Sequence, residues 1–353
     1  MSVAFGYRTR SVRTRWFSGR LSVRLLTVSV LLFLVALALA TVALTHGDYP
    51  LTIQQVFATF TSEETFERTV VVTWRLPIAI GAVVFGALLG IGGAIFQSLT
   101  RNPLGSPDVI GFDAGSYTAV VVAILLVGTG SYWWIAFSAI AGGIATAFGV
   151  YVLSYRRGIQ SFRLIIVGIG VSAMLGSVNA YLISRAEIED ARTVGWWGAG
   201  SITRVSWEAL LPALAVAAAI VITAALLAPA LRRMELGDDA AVTLGTRPGP
   251  ARLGLIVAGV ATVAVVTAAA GPIGFIALAA PQLARRLTRS AGVSLLASAG
   301  MGAALLAGAH LLSLLLAQAY RPVPVGLITV CVGGSYLIWL LISETRKRTG
   351  LLR

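Results

Sequence analysis

Arg75–Phe112 reads RLPIAIGAVVFGALLGIGGAIFQSLTRNPLGSPDVIGF. From Leu76 to Thr100 it carries no charge, a run of 25 residues that is long enough to cross a hydrocarbon core of ~30 Å. Arg75-Leu76-Pro77 marks the start of this helix, because the missing N–H of proline has no partner in a first turn anyway. Gly86 and Gly90 stand four residues apart, with Gly93 one turn on. Such a small-residue face brings a neighbouring helix close, the main attraction between helices in lipid. Arg101-Asn102-Pro103 stops the helix, and a Gly/Pro/Asp-rich reversal leads into the next span. The remaining chain reads as further spans packed around this one.

Composition sets the class. A soluble domain carries about 25% charged residues, whereas this chain of 353 residues has 12%, with 57% hydrophobic. It is expected to be an all-α polytopic membrane protein. The net charge of +13 comes from 26 arginines and the single Lys347. On a membrane protein such an excess points to cytoplasmic loops rather than to nucleic acid. The lone Cys331 excludes a disulfide framework and, in its apolar run, reads as a buried thiol. Arg8–Arg24 followed by uncharged Leu25–Thr45 has two readings: a signal peptide cut after Ala38-Leu39-Ala40, or an uncleaved first span. The 21-residue run exceeds a signal core of about 7–15 residues and favours the span.

About ten transmembrane helices follow from the uncharged runs: 25–45, 76–99, 112–128, 133–153, 164–184, 208–229, 252–270, 273–287, 294–317 and 326–343. They form one permease-like domain, 25–343, between a basic tail at 1–24 and a second tail at 344–353. Residues 114–155 are too long for one helix, with a turn at Gly128–Ser131. Gly271-Pro272-Ile273-Gly274 breaks the run 253–284 and leaves a short eighth helix whose freed backbone groups need protein around them. With both termini inside, the inner loops collect 21 of the 27 basic residues. The outer side keeps Arg68, Arg75, Arg185, Arg192, Arg204 and Arg321 against eight acids. That bias obeys the positive-inside rule.

Two loops are long. The outer one, 46–75, is acidic, with Glu63, Glu64 and Glu67. The inner one, 230–251, contains Asp238 as a cap, Asp239 at the positive end of a short helix, and Gly245 to end it before Pro248 and Pro250. Such a segment either docks as a helix into the groove of a partner, lies as a helix on the lipid surface, or is a plain loop. On the fifth span, Gly168, Ser172, Gly176 and Asn179 form a small, weakly polar face, either a packing seam or the lining of a path.

The missing chemistry is equally informative. No span carries a charge in its middle, since Asp113 and Glu208 lie at ends, whereas ion-coupled pumps need intramembrane carboxylates or histidines. His310 is the one such candidate, as a relay or as a histidine hydrogen-bonded to a neighbouring helix. No Gly-rich run precedes Lys347, so no P-loop holds ATP. His46 and His310 are too few for a metal site, and Ser201 with His310 has no spacing that supports a protease. A bundle without an engine looks like a path driven by a separate subunit.

Arg75-Leu76-Pro77, Gln97, Arg101-Asn102-Pro103-Leu104-Gly105-Ser106-Pro107 and Gly111 resemble the permease subunits of the iron-siderophore and cobalamin family of ABC importers. The similarity continues through Trp197-Gly198-Ala199-Gly200-Ser201, Leu236-Gly237-Asp238-Asp239, Leu244-Gly245, Gly271-Pro272-Ile273-Gly274-Phe275, Pro281 and Pro324-Val325-Gly326. The strings GAIFQSLTRNPLGSPDVIGF, FRLIIVGIGV, MELGDDAAVTLG and GGSYLIWLL are most similar to the ferric-enterobactin (catecholate siderophore) branch. The resemblance implies the type II ABC importer permease fold in a bacterial cytoplasmic membrane, two permease subunits around a central path, and two copies of an ABC ATPase below. It makes Glu235, Leu236, Gly237, Asp238, Asp239, Leu244 and Gly245 the coupling segment for those ATPases, which carry the ATP and magnesium. No cofactor is implied for this chain. An extracytoplasmic siderophore-binding protein docks outside, with Arg75, Arg321 and Arg68 as its candidate contacts. Gly168, Ser172, Gly176 and Asn179 are candidates for the translocation path.

Departures from the family pattern are specific. The arginine usual after Arg-Leu-Pro is Ile78, another near the end of the ninth helix is about Leu315, and Pro-His after the eighth is Pro281-Gln282. An aspartate usual in helix nine is replaced around His310, and the glutamate before Pro-x-Gly is absent at Pro322-Val323-Pro324. These losses suit one half of a heterodimer with a paralogous partner. The expected function is passage of a ferric siderophore inward, without covalent chemistry. Import of cobalamin, haem or another metal chelate by the same architecture is the alternative, and an ion-coupled secondary transporter is the rival outside ABC systems.

Overall fold

The computed structural model describes residues 9–13, 18–61, 65–108, 111–128, 131–154 and 161–350. Part of the basic N-terminal tail, the last three residues, and Glu63, Glu64, Arg156 and Arg157 of the loop charges lie outside them. Two short strands, β1 (Thr9–Arg13) and β2 (Ser18–Ser22), pair antiparallel with Thr9 opposite Ser22. This hairpin is the exception to an all-helical chain among the described residues. Its segment has Ser, Thr and Val but no 3.6-residue apolar stripe, a pattern that suits strands. β2 leads directly into α1 (Val23–Ala43), where the Ser22 hydroxyl accepts from the Leu25 N–H of the first turn.

The helices stand at the ten expected places. After α1 come α2 (Ile53–Ala58), α3 (Phe66–Arg68), α4 (Leu76–Thr100), α5 (Phe112–Leu125), α6 (Tyr132–Ser154) and α7 (Ser161–Arg185). Then follow α8 (Ile188–Gly198), α9 (Trp207–Glu235), α10 (Asp238–Thr243), α11 (Pro248–Ala270), α12 (Ile276–Thr288), α13 (Leu295–Ala319) and α14 (Val325–Gly350). Seven helical stretches are long and apolar enough to cross a membrane, and Phe112–Leu125 and Val325–Tyr336 are shorter apolar helices.

Four details depart from the sequence reading. The central helix starts at Phe66 rather than Arg75, because α3 runs through a π-helical stretch, Thr69–Arg75, into α4. In that wide turn the Leu76 N–H reaches Val71 O, and Pro77, which has no N–H to offer, is accommodated within the helix. α9 continues to Glu235, which shortens the inner loop to 236–247. The C-terminal tail expected from 344 is helical to Gly350 as part of α14. Cys331 is exposed, not buried, since it lies off the face that α14 packs against α12 and α13.

α4 is the axis of the bundle. Its membrane window is 72% buried against 17% for α1, and it packs on α13, α11, α12, α9 and α1. The glycine face does what its spacing predicts. A Cβ on Gly86 would meet the backbone of Gly302 and Ala303, one on Gly90 the Ser298 carbonyl, and one on Gly93 the Ala277 carbonyl. Around this seam Phe85, Leu88, Leu210, Ile273 and Leu306 form the main core.

α5 and α12, of 14 and 13 residues, reach only about 20 Å at ~1.5 Å per residue. α12 is preceded by a non-helical stretch packed within the bundle, Gly271–Phe275, and before α5 the described residues 101–108 bury Gly105, Ser106 and Pro107. Irregular backbone is stable at such depth only where protein satisfies it. Two hydrogen bonds join the loops that pack around Gly271–Phe275. Ser201 N–H donates to Ala270 O at 2.7 Å and Gly326 N–H to Gly200 O at 2.9 Å. Gly200 packs on the Pro272 carbonyl, and Gly326 on the Ala199 carbonyl. Three motifs far apart in sequence, Trp197–Ser201, Gly271–Phe275 and Pro324–Gly326, therefore interlock as one knot.

Candidate coupling and docking sites

α10 lies where the inner end of α4 meets α9 and α11. Ala241 is fully buried in a small core with Leu231, Met234 and Leu255, which anchors one side of the helix. The other side projects: Leu236 is 70% exposed, Val242 57% and Leu244 52%, and Asp239 is exposed beside them. Gly237 and Gly245 take φ +117° and +78°, where a side chain would be strained, and so set the two turns around α10.

Asp238 does not cap α10, as its position suggested; Gly237 occupies the cap. The Asp238 carboxylate instead bridges Arg101 at 3.2 Å and Arg252 at 2.8 Å. Arg101 itself adopts φ 49° and donates to Met234 O at 2.9 Å. Exposed ion pairs contribute only ~0–1 kcal/mol each, so this bridge orients α10 more than it stabilises the bundle. Glu235 is tied too, accepting from the Ser98 hydroxyl at 2.6 Å. The seven expected coupling residues thus divide into tethers (Glu235, Asp238), turns (Gly237, Gly245) and a projecting surface (Leu236, Asp239, Leu244). Ser98, Arg101, Arg252 and Val242 complete this site and were not singled out for it by the sequence.

Gln282, a departure from the family pattern, has a defined role. Its side-chain N–H₂ donates to Gln97 Oε1 at 2.8 Å and to Pro103 O at 3.2 Å, while Gln97 donates to Leu278 O at 2.9 Å. The pair joins α4, α12 and the loop after α4.

At the opposite end, the candidate docking arginines differ. Arg321 is exposed and Arg68 partly so. Arg75 is held by its own chain, donating to Leu44 O at 2.8 Å and Tyr49 O at 2.6 Å. Ile78 is half-buried one turn further on, and Leu315 is exposed.

The four-residue face expected on α7 splits in two. Gly168 and Ser172 pack at Gly111, before α5, and Asn179 is buried at 3% exposure with no partner on Oδ1 among the described residues. Gly176 lies about 80° round the helix from Gly168, and a Cβ there would meet open space.

Two carboxyls acquire an environment that the sequence did not reveal. Asp113 opens α5, but that end of the helix lies inside the bundle, where the Thr267 hydroxyl donates to it at 3.2 Å. Asp108, in the preceding loop, has an Oδ1 shut off from solvent and unpartnered among the described residues. Burial first, then the charge of Asp113, pushes the Asp108 carboxyl well above the usual carboxylate range, against hydrogen bonds from the Asp108 and Phe275 backbone. A carboxyl raised on folding costs stability once pH rises above its unfolded pKa of 3.8. Asp108→Asn is therefore expected to raise the melting temperature at pH 8, with the gain shrinking toward pH 4. An equal gain at both pH values, or a loss at pH 8, counts against this account. For His310 the sequence left a relay or a hydrogen bond to a neighbouring helix open; the side chain is buried, and its Nδ1 has no partner among the described residues.

A helical bundle packed around a small-residue helix, with the short tethered helix α10 between α9 and α11, has the architecture of an ABC importer permease. Residues 30–343 match the FecCD transport family, and the chain belongs to it. It is 45% identical over 327 residues to the ferric enterobactin transport system permease protein FepG of Escherichia coli, covering 92% of this chain and 98% of that protein. The iron(3+)-hydroxamate import system permease protein FhuG of Bacillus subtilis is 33% identical, with 89% and 94% covered. The hemin transport system permease protein HmuU of Yersinia pestis is 30% identical, with 94% and 100% covered. A solved metal-chelate type ABC transporter in an inward-facing conformation is 25% identical, with a TM-score of 0.75 over 90% of this chain and 99% of that one.

Proposed function

We propose that this chain is one permease half of an ATP-driven importer that carries an intact ferric siderophore, of the catecholate class, across the bacterial cytoplasmic membrane. The observation that carries the reading is its 45% identity, over nearly both full lengths, to the ferric enterobactin permease. Both termini lie in the cytoplasm, in keeping with the basic inner loops. The partner is a second permease subunit, a paralogue that supplies groups this half lacks at Ile78 and Gln282. Two ABC ATPase subunits bind below and hold ATP and magnesium, and this chain catalyses no reaction.

In this mechanism the projecting surface of α10 (Leu236, Asp239, Val242, Leu244) sits in the ATPase groove. The tethers Glu235 and Asp238 pass its movement to α4, α9 and α11. Nucleotide-driven closure then shifts the helices between outward-open and inward-open packings. The exposed side of α7 around Gly176 lines the path, while Gly168, Ser172 and Asn179 seat the helix on its neighbours. An extracytoplasmic siderophore-binding protein docks outside, with acidic side chains toward Arg321 and Arg68. Arg75 holds the adjoining loop in shape for that contact.

Reconstitution tests the proposal. Liposomes holding the complete complex should concentrate radiolabelled ferric enterobactin in an ATP-dependent way, in preference to haem or cobalamin. The chain alone should concentrate none of them. Uphill uptake by the chain alone, stopped by collapse of the proton gradient, would sink the reading in favour of a secondary transporter.

A further inference from the structure

The end of α12 carries a collar of positive charge that the transport mechanism does not use. Arg285, Arg286 and Arg289 all stand exposed there. A fourth guanidinium reaches the same turn from α1, where the exposed Arg24 donates from Nε to Leu287 O at 3.0 Å. Both ion pairs seen among the described residues belong to Asp238, so none of these four arginines has an acidic partner among them. The sequence gives the reason, since no Asp or Glu occurs in 1–47 or in 240–343. Glu235 lies beside Gly292 of the following loop, which places the collar at the α10 end of the bundle, but that carboxylate is bound to the Ser98 hydroxyl.

One member of the collar is seated at the edge of an apolar groove. The Arg286 guanidinium carbon lies 4.8 Å from the centroid of the Trp339 ring and 5.8 Å from that of Tyr336. Stacking on aromatic faces holds a guanidinium in place without neutralising it and leaves its N–H donors for an anion. Tyr336 also lines a cavity of about 80 Å³ between α12, α13 and α14, together with Leu283, Leu305, Leu312, Ile328 and Val332. Leu283 precedes Arg286 by one turn of α12. The Thr329 hydroxyl in that lining is spent inside α14, on Gly326 O at 2.9 Å. Val332 and Leu312 are exposed, so the groove opens on the outside of the spanning helices, and Trp339 is exposed beside Arg286. Tryptophan at the end of a span marks the level of the lipid headgroups.

We propose that this groove and collar bind an anionic phospholipid. One acyl chain lies in the apolar groove, and the phosphate meets Arg286 within the positive field of Arg24, Arg285 and Arg289. A basic cluster between spanning helices at a membrane surface has the chemistry to recognise such a headgroup, and the adjoining groove adds a demand for the hydrocarbon chain. The site is separate from α10 and from the cargo path.

The test is native mass spectrometry of the detergent-solubilised, full-length protein, titrated with phosphatidylglycerol and phosphatidylcholine of identical acyl chains and with glycerol 3-phosphate. Phosphatidylglycerol should bind about tenfold more tightly than phosphatidylcholine, and glycerol 3-phosphate should not displace it. Arg286→Gln should weaken phosphatidylglycerol about fivefold, the worth of one basic side chain at an anionic membrane surface, and leave phosphatidylcholine unchanged. Should that variant not fold, Arg24→Gln takes its place. Val332→Trp, which fills the groove from its exposed rim, should weaken both lipids. Arg232→Gln removes an exposed arginine of α9 at the same end of the bundle and should change neither. The complete importer complex should retain the bound phosphatidylglycerol. Equal binding of the two lipids, displacement by glycerol 3-phosphate, an Arg232→Gln effect as large as that of Arg286→Gln, or loss of the lipid when the second permease subunit assembles would overturn the assignment.

Discussion

Gly93→Ala is expected to lower the melting temperature and the monodisperse yield of the permease sharply. The added methyl would overlap the Ala277 carbonyl, and a backbone neighbour cannot swing aside as a flexible side chain can. The local geometry is also pinned one turn further on, where Gln97 donates to Leu278 O. Overpacking of a filled core costs ~1–3 kcal/mol and occasionally more, and a contact with backbone on both sides belongs at the upper end. Against a total stability of ~5–15 kcal/mol that loss is large. Gly176→Ala supplies the control, because it adds the same methyl to a helix where nothing stands within 4 Å. There the change should be neutral or stabilising, by up to ~1 kcal/mol of helix propensity. Monodisperse yield and melting temperature in detergent read both. If Gly93→Ala melts with the wild type, the close approach of α4 and α12 is not what holds the centre together.

The second large effect is functional. Val242→Arg and Leu244→Arg place charges on the projecting side of α10, where the wild-type side chains are 57% and 52% exposed. Surface changes of this kind cost the fold within about 0.5 kcal/mol, so each variant should melt as the wild type does. In the reconstituted complex, ATP-dependent uptake should fall more than tenfold, and stimulation of the ATPase by transport should vanish. Asp239→Lys, in the first turn of α10, should behave alike. Ala241→Leu gives the contrast, since that side chain is fully buried and its enlargement should lower stability as well. Retained coupling in the arginine variants would remove α10 from the transmission path.

How far the chain could be read in advance depended on the kind of interaction. Helix positions were legible because an uncharged run must match a ~30 Å core, and Gly271–Gly274 announced its break because a Gly-Pro pair with flanking glycine favours a turn over a continuing helix. The Gly86, Gly90 and Gly93 seam was legible from spacing alone. The π-helical entry at Thr69–Arg75 was not, because Arg-Leu-Pro imitates a first turn and only the chain before it shows that the helix is already running. Asp238 looked like a cap because that role needs only local sequence. Its actual partners, Arg101 and Arg252, are set by where α4 and α11 end. Gln282 with Gln97 and Ser98 with Glu235 join residues 185 and 137 positions apart, and no periodicity points from one to the other.

The amino-acid order by itself determined that the chain is a membrane protein, where its long helices fall, which helix is central and which family it belongs to. Those properties depend on hydrophobic length, charge placement and small-residue spacing, which are local. Tertiary structure alone decided how the loops around Gly271–Phe275 interlock, how α10 is tethered, and how Gln97 and Gln282 join α4 to α12. Each of those depends on a buried donor or acceptor meeting its partner across the bundle, and that meeting exists only once the helices have packed.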